Sequence, residues 1–282
     1  MYFISESDSF MSYAYNHFLQ NSVKNRVSKT RVMWSKKPLQ KAIIFIHGFN
    51  GGALSTWSDL PALIGDYREF DGIDLFFYSY DSLHTQTNNS SLEFFEFIDE
   101  VARKHIFMMH DFTKANRNVD EIFEYNEITI VAHSLGAVIT RLALNLAYEK
   151  KASWLKSVNM LLFAPAHNGA RIIPLLVELF YPKIFRPIGI LWRYFVVTLH
   201  DLEEKSLTLS DLKLRTQDIQ KENEARFSKA LSVVWAQNER VVFNNRYLED
   251  SLPIQFTGTN HSSVCKSSIT TQDFLNELIK YI

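Results

Sequence analysis

Cysteine is nearly absent from this sequence, since Cys265 is the only one among 282 residues. A single cysteine excludes an intramolecular disulfide framework. Paired cysteines and the His-Glu-x-x-His pattern are also missing, and these arrangements are typical of bound zinc. We therefore expect neither a metal site nor a cofactor.

An excess of one charge is missing as well, because 30 Lys and Arg residues stand against 31 Asp and Glu residues. The resulting balance argues against a nucleic-acid-binding surface. No apolar run extends to the ~20 residues that a transmembrane helix needs. Residues 1–8 lack the positive and apolar regions of a secretory signal. These absences predict a cytoplasmic protein.

The residues that are present suit a globular protein with a large core, since 46% are hydrophobic and 22% are charged. One α/β domain can account for this length, so residues 1–282 are predicted to form a single domain. Strand patterns alternate with helix patterns, which favours a mostly parallel central sheet with flanking helices. The predicted strands of this alternation lie at 41–46, 72–80, 128–131 and 158–163.

Three local patterns lie outside these strands. Residues 9–24 are rich in aromatic side chains and could form a helix, and residues 30–34 predict an early strand. Residues 90–93 read Ser-Ser-Leu-Glu, which is a capping-box signature, so a long helix is predicted to begin there.

The stretch that organises the chain is 128–139, which reads Ile-Thr-Ile-Val-Ala-His-Ser-Leu-Gly-Ala-Val-Ile. Its first four residues suit a strand buried on both faces, and the residues after Gly136 suit a helix. Ser134 therefore lies where a strand turns abruptly into a helix, a geometry that exposes a nucleophile at the positive helix end. The alternative is an ordinary buried connection with a capping serine, because five-residue patterns recur by chance.

A second buried strand runs into residues 47–52, His-Gly-Phe-Asn-Gly-Gly. A loop of small residues allows a backbone N–H group to face a reacting carbonyl. We predict that the N–H groups of Phe49 and Leu135 form an oxyanion hole, the second because it opens a helix. A plain turn is the alternative. A phosphate loop is not favoured, because no Gly-Lys-Ser/Thr follows.

Two more groups complete a predicted catalytic triad of Ser134, Glu239 and His261. A histidine must reach the serine as general base, and His261 follows the last predicted strand. The acid that orients this histidine should follow the preceding strand, and Glu239 comes shortly after the strand at 231–236. Asp250 and Glu249 are the competing acids. Asp250 lies beyond Tyr247 and Leu248, which are predicted to form a helix that leads away from the site.

Together these motifs resemble the lipase-like serine esterases of the α/β-hydrolase superfamily. The resemblance covers roughly residues 40–282 and implies an α/β-hydrolase fold with a Ser-His-acid triad, in which glutamate is an accepted acid. The motifs are His-Gly-Phe, Ala-His-Ser-x-Gly, Pro-x-His-x-Gly and His-Ser-Ser-x-x-Lys, at residues 47–49, 132–136, 165–169 and 261–266.

Residues 170–226 are predicted to form a helical cap inserted between core strands. Apolar residues recur there at helical spacing in two stretches before residue 201. Trp192 and Phe195 are predicted to bind the acyl group of the substrate, and the same apolar faces could contact a membrane surface. The alternative, of nearly equal weight, is that the cap simply covers the core of the domain.

The predicted function is a serine hydrolase that cleaves carboxylic esters, with a lipid or another hydrophobic acyl ester as the small-molecule substrate. Thioester cleavage, amide cleavage and acyl transfer on the same triad remain alternatives. So does a binding protein that kept the fold without turnover. Two other histidines are predicted to have structural and not catalytic roles. His167 is interpreted as a loop-ordering residue, and His133 as a structural residue that points away from the predicted nucleophile.

Overall fold

The computed structural model describes residues 10–18, 27–35, 39–109, 124–171, 174–175, 201–204, 206–222, 225–268 and 272–282. Eight strands lie within them. In chain order they are β1 (Phe10–Phe18), β2 (Val27–Ser35), β3 (Lys41–Ile46), β4 (Ile73–Tyr78), β5 (Glu127–His133), β6 (Val158–Phe163), β7 (Ser232–Ala236) and β8 (Ile254–Phe256).

All eight strands belong to one sheet with the order β1-β2-β4-β3-β5-β6-β7-β8. The pairs β1 with β2 and β2 with β4 are antiparallel. The pairs from β4 through β3, β5, β6 and β7 to β8 are parallel. The central strands are apolar without alternation because both faces of this part of the sheet are covered. The predicted mostly parallel sheet is confirmed.

Five α-helices are described: α1 (Leu60–Leu63), α2 (Thr87–Met109), α3 (Leu135–Glu149), α4 (Leu207–Gln220) and α5 (Asp273–Ile279). Neighbouring residues of a strand point to opposite faces of the sheet. Phe76 of β4 contacts Phe97 of α2. Phe77 stacks on Phe45 of β3, which in turn contacts Trp57 in the turn before α1. Flanking elements thus pack on both faces of the sheet, as predicted.

The predicted helix at residues 9–24 is wrong for its described part, because Phe10–Phe18 is strand β1. This strand pairs with β2 along its whole length, from Phe10 opposite Ser35 to Phe18 opposite Val27. Aromatic residues favour strands where a partner strand is present. A pattern read from residues 9–24 alone does not include that partner strand. The early strand predicted at residues 30–34 is confirmed as part of β2.

Helix α2 begins at Thr87, three residues before the predicted capping box. The backbone N–H of Thr87 donates to the carboxylate of Asp201 over 3.3 Å. A carboxylate at this position satisfies one of the unpaired N–H groups of the first helical turn and complements the helix dipole. The helix start is therefore set by a residue distant in sequence, which explains why the local signature misplaced it.

Most of the first half of the predicted cap, including Trp192 and Phe195, lies outside the described residues. The described residues on either side of this segment lie next to each other, because the N–H of Ala170 donates to the carbonyl of Leu202 over 2.7 Å. Helix α4 follows and buries Leu209 and Leu212. Within the part of the chain that the structure describes, none of the helices combines the length and the apolar character required to cross a membrane.

Candidate active site

Ser134 occupies the turn between β5 and α3 with a strained backbone, at φ 54° and ψ −120°. A residue other than glycine in such a conformation costs roughly 1–3 kcal/mol and persists where its surroundings hold it. Here the Ser134 N–H donates to the carbonyl of Phe163 over 3.0 Å, and the Ser134 carbonyl accepts from the N–H of Ala166 over 3.2 Å. The side chain caps no helix N–H group. Its hydroxyl therefore remains available for another partner.

Close backbone packing explains the small residues around this serine. A Cβ atom on Gly136 would lie 2.6 Å from the carbonyl oxygens of Ile46 and His47. A Cβ atom on Gly48 would lie 2.7 Å from Cβ of Ser134. Real Cβ atoms do not approach so closely, so the loop after β3 can pass beside Ser134 only because these two residues are glycine.

His261 reaches the serine from the turn that follows β8. Its Nε2 lies 2.9 Å from Oγ of Ser134, within the range of a hydrogen bond from the hydroxyl to the imidazole. Both side chains are buried. The two residues are 127 positions apart in the sequence. They meet because β5 and β8 end at the same edge of the sheet.

Glu239 holds the other ring nitrogen of His261, with 3.0 Å between Oε2 and Nδ1. Its second oxygen, Oε1, accepts from the backbone N–H groups of Val241 and Val242 over 2.8 Å and 3.1 Å. Burial acts to raise the pKa of Glu239, but the hydrogen bond and charge of His261 and the two N–H donors outweigh it, so the pKa lies below its ordinary value. Glu239 is therefore a carboxylate at neutral pH.

The two predicted oxyanion donors lie in the loop after β3 and at the first residue of α3. The Gly48 carbonyl accepts from Nδ1–H of His47 over 2.8 Å and from the N–H of Gly51 over 3.1 Å. Because a trans peptide is planar, the Phe49 N–H points in the direction opposite to that carbonyl. Leu135 is the first residue of α3, where backbone N–H groups have no acceptor within the helix. Their role in holding an oxyanion stays a prediction.

Two residues that support the loop after β3 were not singled out from the sequence. The ring of Tyr80 stacks on that of His47 with 4.4 Å between centroids, and its hydroxyl donates to the His47 carbonyl over 2.9 Å. The N–H of Asn50 donates to Oγ of Ser82 over 2.9 Å. Tyr80 and Ser82 lie in the loop that follows β4, so their position beyond the carboxyl end of a parallel strand was the available signal.

Three further histidines around the site are buried and neutral. Burial lowers the pKa of His47 to about 4. Burial is the largest cause that lowers the pKa of His133 and of His167 to about 3. His167 donates from Nε2 to the carbonyl of Asn245 over 2.9 Å, the contact expected of a loop-ordering residue. Among the described residues, no three His, Cys, Asp or Glu side chains form a group that could hold a metal ion.

None of the hydrogen bonds in the described part of the chain joins Asp250, a competing acid, to His261. Its carboxylate forms a buried ion pair with Arg141 of α3 over 2.6 Å and accepts from the N–H of Ala230 over 3.0 Å. The predicted helix at Tyr247 and Leu248 is wrong, because these residues lie in an irregular segment ending in a turn. That segment curls around the guanidinium of Arg141, which lies 4.5 Å above the Tyr247 ring.

Substitution of Asp250 by Asn is expected to lower stability rather than to damage the chemistry. The change would leave the buried Arg141 without its counter-charge, at a cost of about 3–5 kcal/mol in the free energy of unfolding. Urea unfolding measures this loss. Glu249→Gln is the matched control, because Glu249 makes a solvent-exposed pair with Lys229 at 3.5 Å, worth less than about 1 kcal/mol. Equal stabilities of the two variants would contradict the structural role of the buried pair.

The sequence matches one family model over residues 36–167, that of the family described as "Putative serine esterase (DUF676)". The matched range contains Ser134 and Phe49, whereas Glu239 and His261 lie beyond it. No match is found among curated proteins.

Solved structures of similar fold include the peroxisomal α/β-hydrolase Lpx1 of Saccharomyces cerevisiae, with a TM-score of 0.51, 9% identity, and coverage of 98% of this chain and 88% of that one. Esterase B from Lactobacillus rhamnosis has a TM-score of 0.51 and 12% identity, with coverage of 97% and 85%. Phospholipase PlaB from Legionella pneumophila has a TM-score of 0.48 and 17% identity over 70% of this chain. The chain spans 38% of the length of that phospholipase. At 9% and 12% identity, the similarity to Lpx1 and to esterase B is one of fold.

Proposed function

We propose that this chain, a lipase-like member of the α/β-hydrolase superfamily, hydrolyses carboxylic esters with Ser134 as its nucleophile. The observation that carries the proposal is the chain of hydrogen bonds from Oγ of Ser134 to Nε2 of His261, 2.9 Å, and from Nδ1 of His261 to Glu239, 3.0 Å. Serine, imidazole and carboxylate in this order are what nucleophilic acyl transfer requires.

In the proposed reaction His261 accepts the hydroxyl proton while Oγ of Ser134 attacks the ester carbonyl. Glu239 keeps the proton of the resting imidazole on Nδ1 and stabilises the imidazolium that forms. The N–H groups of Phe49 and Leu135 bind the developing oxyanion, and each such donor supplies a few kcal/mol at the transition state. His261 then protonates the leaving alcohol. Water, activated by the same imidazole, releases the acyl group and restores Ser134.

The proposed substrate is a lipid ester or another ester with a hydrophobic acyl group. Support comes from the two apolar stretches of the predicted cap, which enters and leaves the fold at Ala170 and Leu202. Ala170 lies seven residues after the end of β6. The predicted cap therefore begins near the edge of the sheet that carries Ser134. Trp192 and Phe195 are the residues proposed to bind the acyl chain, and a membrane surface is the proposed source of a lipid substrate.

Substitution of Trp192 or Phe195 by Ala tests the acyl-binding role. If these side chains contact the acyl chain, kcat/KM for an octanoate ester should fall much more than kcat/KM for an acetate ester, because each buried methylene contributes about 0.8 kcal/mol. The acetate ester is the internal control for folding and for the catalytic groups. Equal losses on both esters would favour a cap that covers the core of the domain.

Labelling with a fluorophosphonate tests the proposed function as a whole. We expect one equivalent of label on the peptide that contains Ser134, identified by mass spectrometry, because only an activated serine reacts at neutral pH. Ser134→Ala should remain unlabelled with an unchanged circular dichroism spectrum. Turnover is then compared for an ester, a thioester and an amide with the same acyl group. Labelling of the Ala variant, or preference for the thioester or amide, would overturn the proposal.

A further inference from the structure

His133 is the last residue of β5 and directly precedes the nucleophile. Its Nε2 lies 2.8 Å from the backbone carbonyl oxygen of His261, and the two imidazole rings are 5.0 Å apart between centroids. A carbonyl oxygen can only accept a hydrogen bond, so Nε2 of His133 carries the proton. This contact joins the strand that carries the serine to the backbone of the proposed base.

The ring of His133 also reaches the loop that carries the predicted oxyanion donor. A Cβ atom on Gly48 would lie 3.1 Å from Nδ1 of His133, so the ring lies against the bare backbone of that residue. Nδ1 is buried and has no hydrogen-bond partner in the described structure. Burial is the main cause that lowers the pKa of His133 to about 3. The ring is therefore neutral at physiological pH, and its one N–H is committed to the carbonyl of His261.

The turn that carries His261 takes its shape from local hydrogen bonds. The N–H groups of Ser263 and Val264 donate to the carbonyl of Asn260 over 3.2 Å and 3.1 Å. Bonds within a turn set its shape but not its distance from the rest of the fold. Two backbone carbonyls of this segment are held from outside it: that of Thr259 accepts from the N–H of Asn238 over 3.0 Å, and that of His261 accepts from His133 over 2.8 Å. The bond from His133 is the one made at the residue whose side chain meets Ser134.

We propose that His133 is a positioning residue, which holds His261 within hydrogen-bond distance of Ser134 through the backbone carbonyl of the base. The inference rests on the proposed function, since it assigns His133 a part in the same reaction. The effect should be large for a side chain that touches no reacting atom, because a displacement of about 1 Å between catalytic groups can cost on the order of 100-fold in rate.

A matched pair of substitutions separates the hydrogen bond from the packing. His133→Gln keeps an amide N–H near the position of Nε2, whereas His133→Met has the same chain length without a donor. With p-nitrophenyl acetate as substrate, the Met variant should lose roughly 10- to 100-fold in kcat, with KM within about two-fold of wild type. The Gln variant should keep kcat within about five-fold. Circular dichroism checks folding, and His133→Leu replaces the Met variant if that variant does not fold.

The outcomes separate this inference from the proposed function. Equal rates for both variants, whether fast or slow, would overturn the role of the hydrogen bond. A wild-type protein that hydrolyses no ester and takes no fluorophosphonate would overturn the proposed function. Crystal structures of the two variants then decide the inference: a distance from Ser134 Oγ to His261 Nε2 beyond about 3.5 Å in the Met variant alone supports it, and an unchanged distance overturns it.

Discussion

Glu239→Gln is expected to lower kcat for ester hydrolysis by about 10⁴-fold while the fold stays intact, the size of loss known for an acid-to-amide change in a serine protease triad. The reason lies in the two backbone donors. The N–H groups of Val241 and Val242 both point at Oε1, so the glutamine must present its amide oxygen to them. Its NH₂ group then faces Nδ1 of His261. Nδ1 has to accept, the ring proton moves to Nε2, and the imidazole can no longer take the proton of Ser134.

The measurement is kcat on a short-chain ester, with circular dichroism as the check on folding. Glu249→Gln is the matched control, because it makes the same chemical change on a residue that pairs with Lys229 at the surface. This control should stay within a few-fold of wild type. A Glu239→Gln variant within ten-fold of wild type would remove Glu239 from the triad and leave only Ser134 and His261 in the proposed mechanism.

The central fold was predictable because its strands are buried on both faces. Such strands are continuous apolar runs, and β6 was predicted at the same residues, Val158–Phe163, that the structure shows. The turn that carries Ser134 was predictable for a related reason. Where backbones cross closely, as at Gly48 and Gly136, glycine is the residue that fits. Close packing leaves a pattern in the sequence itself.

Features set by distant partners were not predictable. The strand β1 exists because β2 pairs with it, and α2 begins at Thr87 because Asp201 supplies the acceptor. The contact of His133 with His261 spans 128 positions. A single sequence does not show which distant residues are in contact. The loop after β7 could therefore be placed along the chain, but the contacts of its side chains could not be predicted. The ion pair between Asp250 and Arg141 is a contact of this kind, and without it the sequence leaves Asp250 as an alternative to Glu239.

Acid is expected to destabilise this protein at a pH well above that at which most carboxylates titrate. Burial lowers the pKa of His47 to about 4 and is the main cause that lowers the pKa of His133 and His167 to about 3. In the unfolded chain a histidine has a pKa of about 6.5. Below pH 6.5 the unfolded state therefore binds protons that the native state does not, and falling pH shifts the equilibrium towards unfolding.

The expected size follows from the number of protons. Each proton bound only by the unfolded state changes the free energy of unfolding by about 1.4 kcal/mol per pH unit, so three histidines amount to about 4 kcal/mol per unit. Their contribution is fully present well above pH 6.5 and is lost progressively down to about pH 4 for His47 and about pH 3 for His133 and His167, where each begins to bind a proton in the native state. Between pH 8 and pH 5 the loss is about 6 kcal/mol, comparable with the whole stability of a typical domain.

Urea unfolding between pH 7 and pH 5 measures the slope of the free energy of unfolding against pH. His133→Gln is the control, because glutamine cannot take up a proton. Its slope should be smaller than that of wild type by about 1.2 kcal/mol per pH unit between pH 6 and pH 5, because the unfolded histidine is mostly but not fully protonated there. The difference between the two proteins isolates one buried histidine from every other group that titrates in this range. Equal slopes would contradict the prediction, because they would mean that His133 binds its proton alike in the folded and unfolded states.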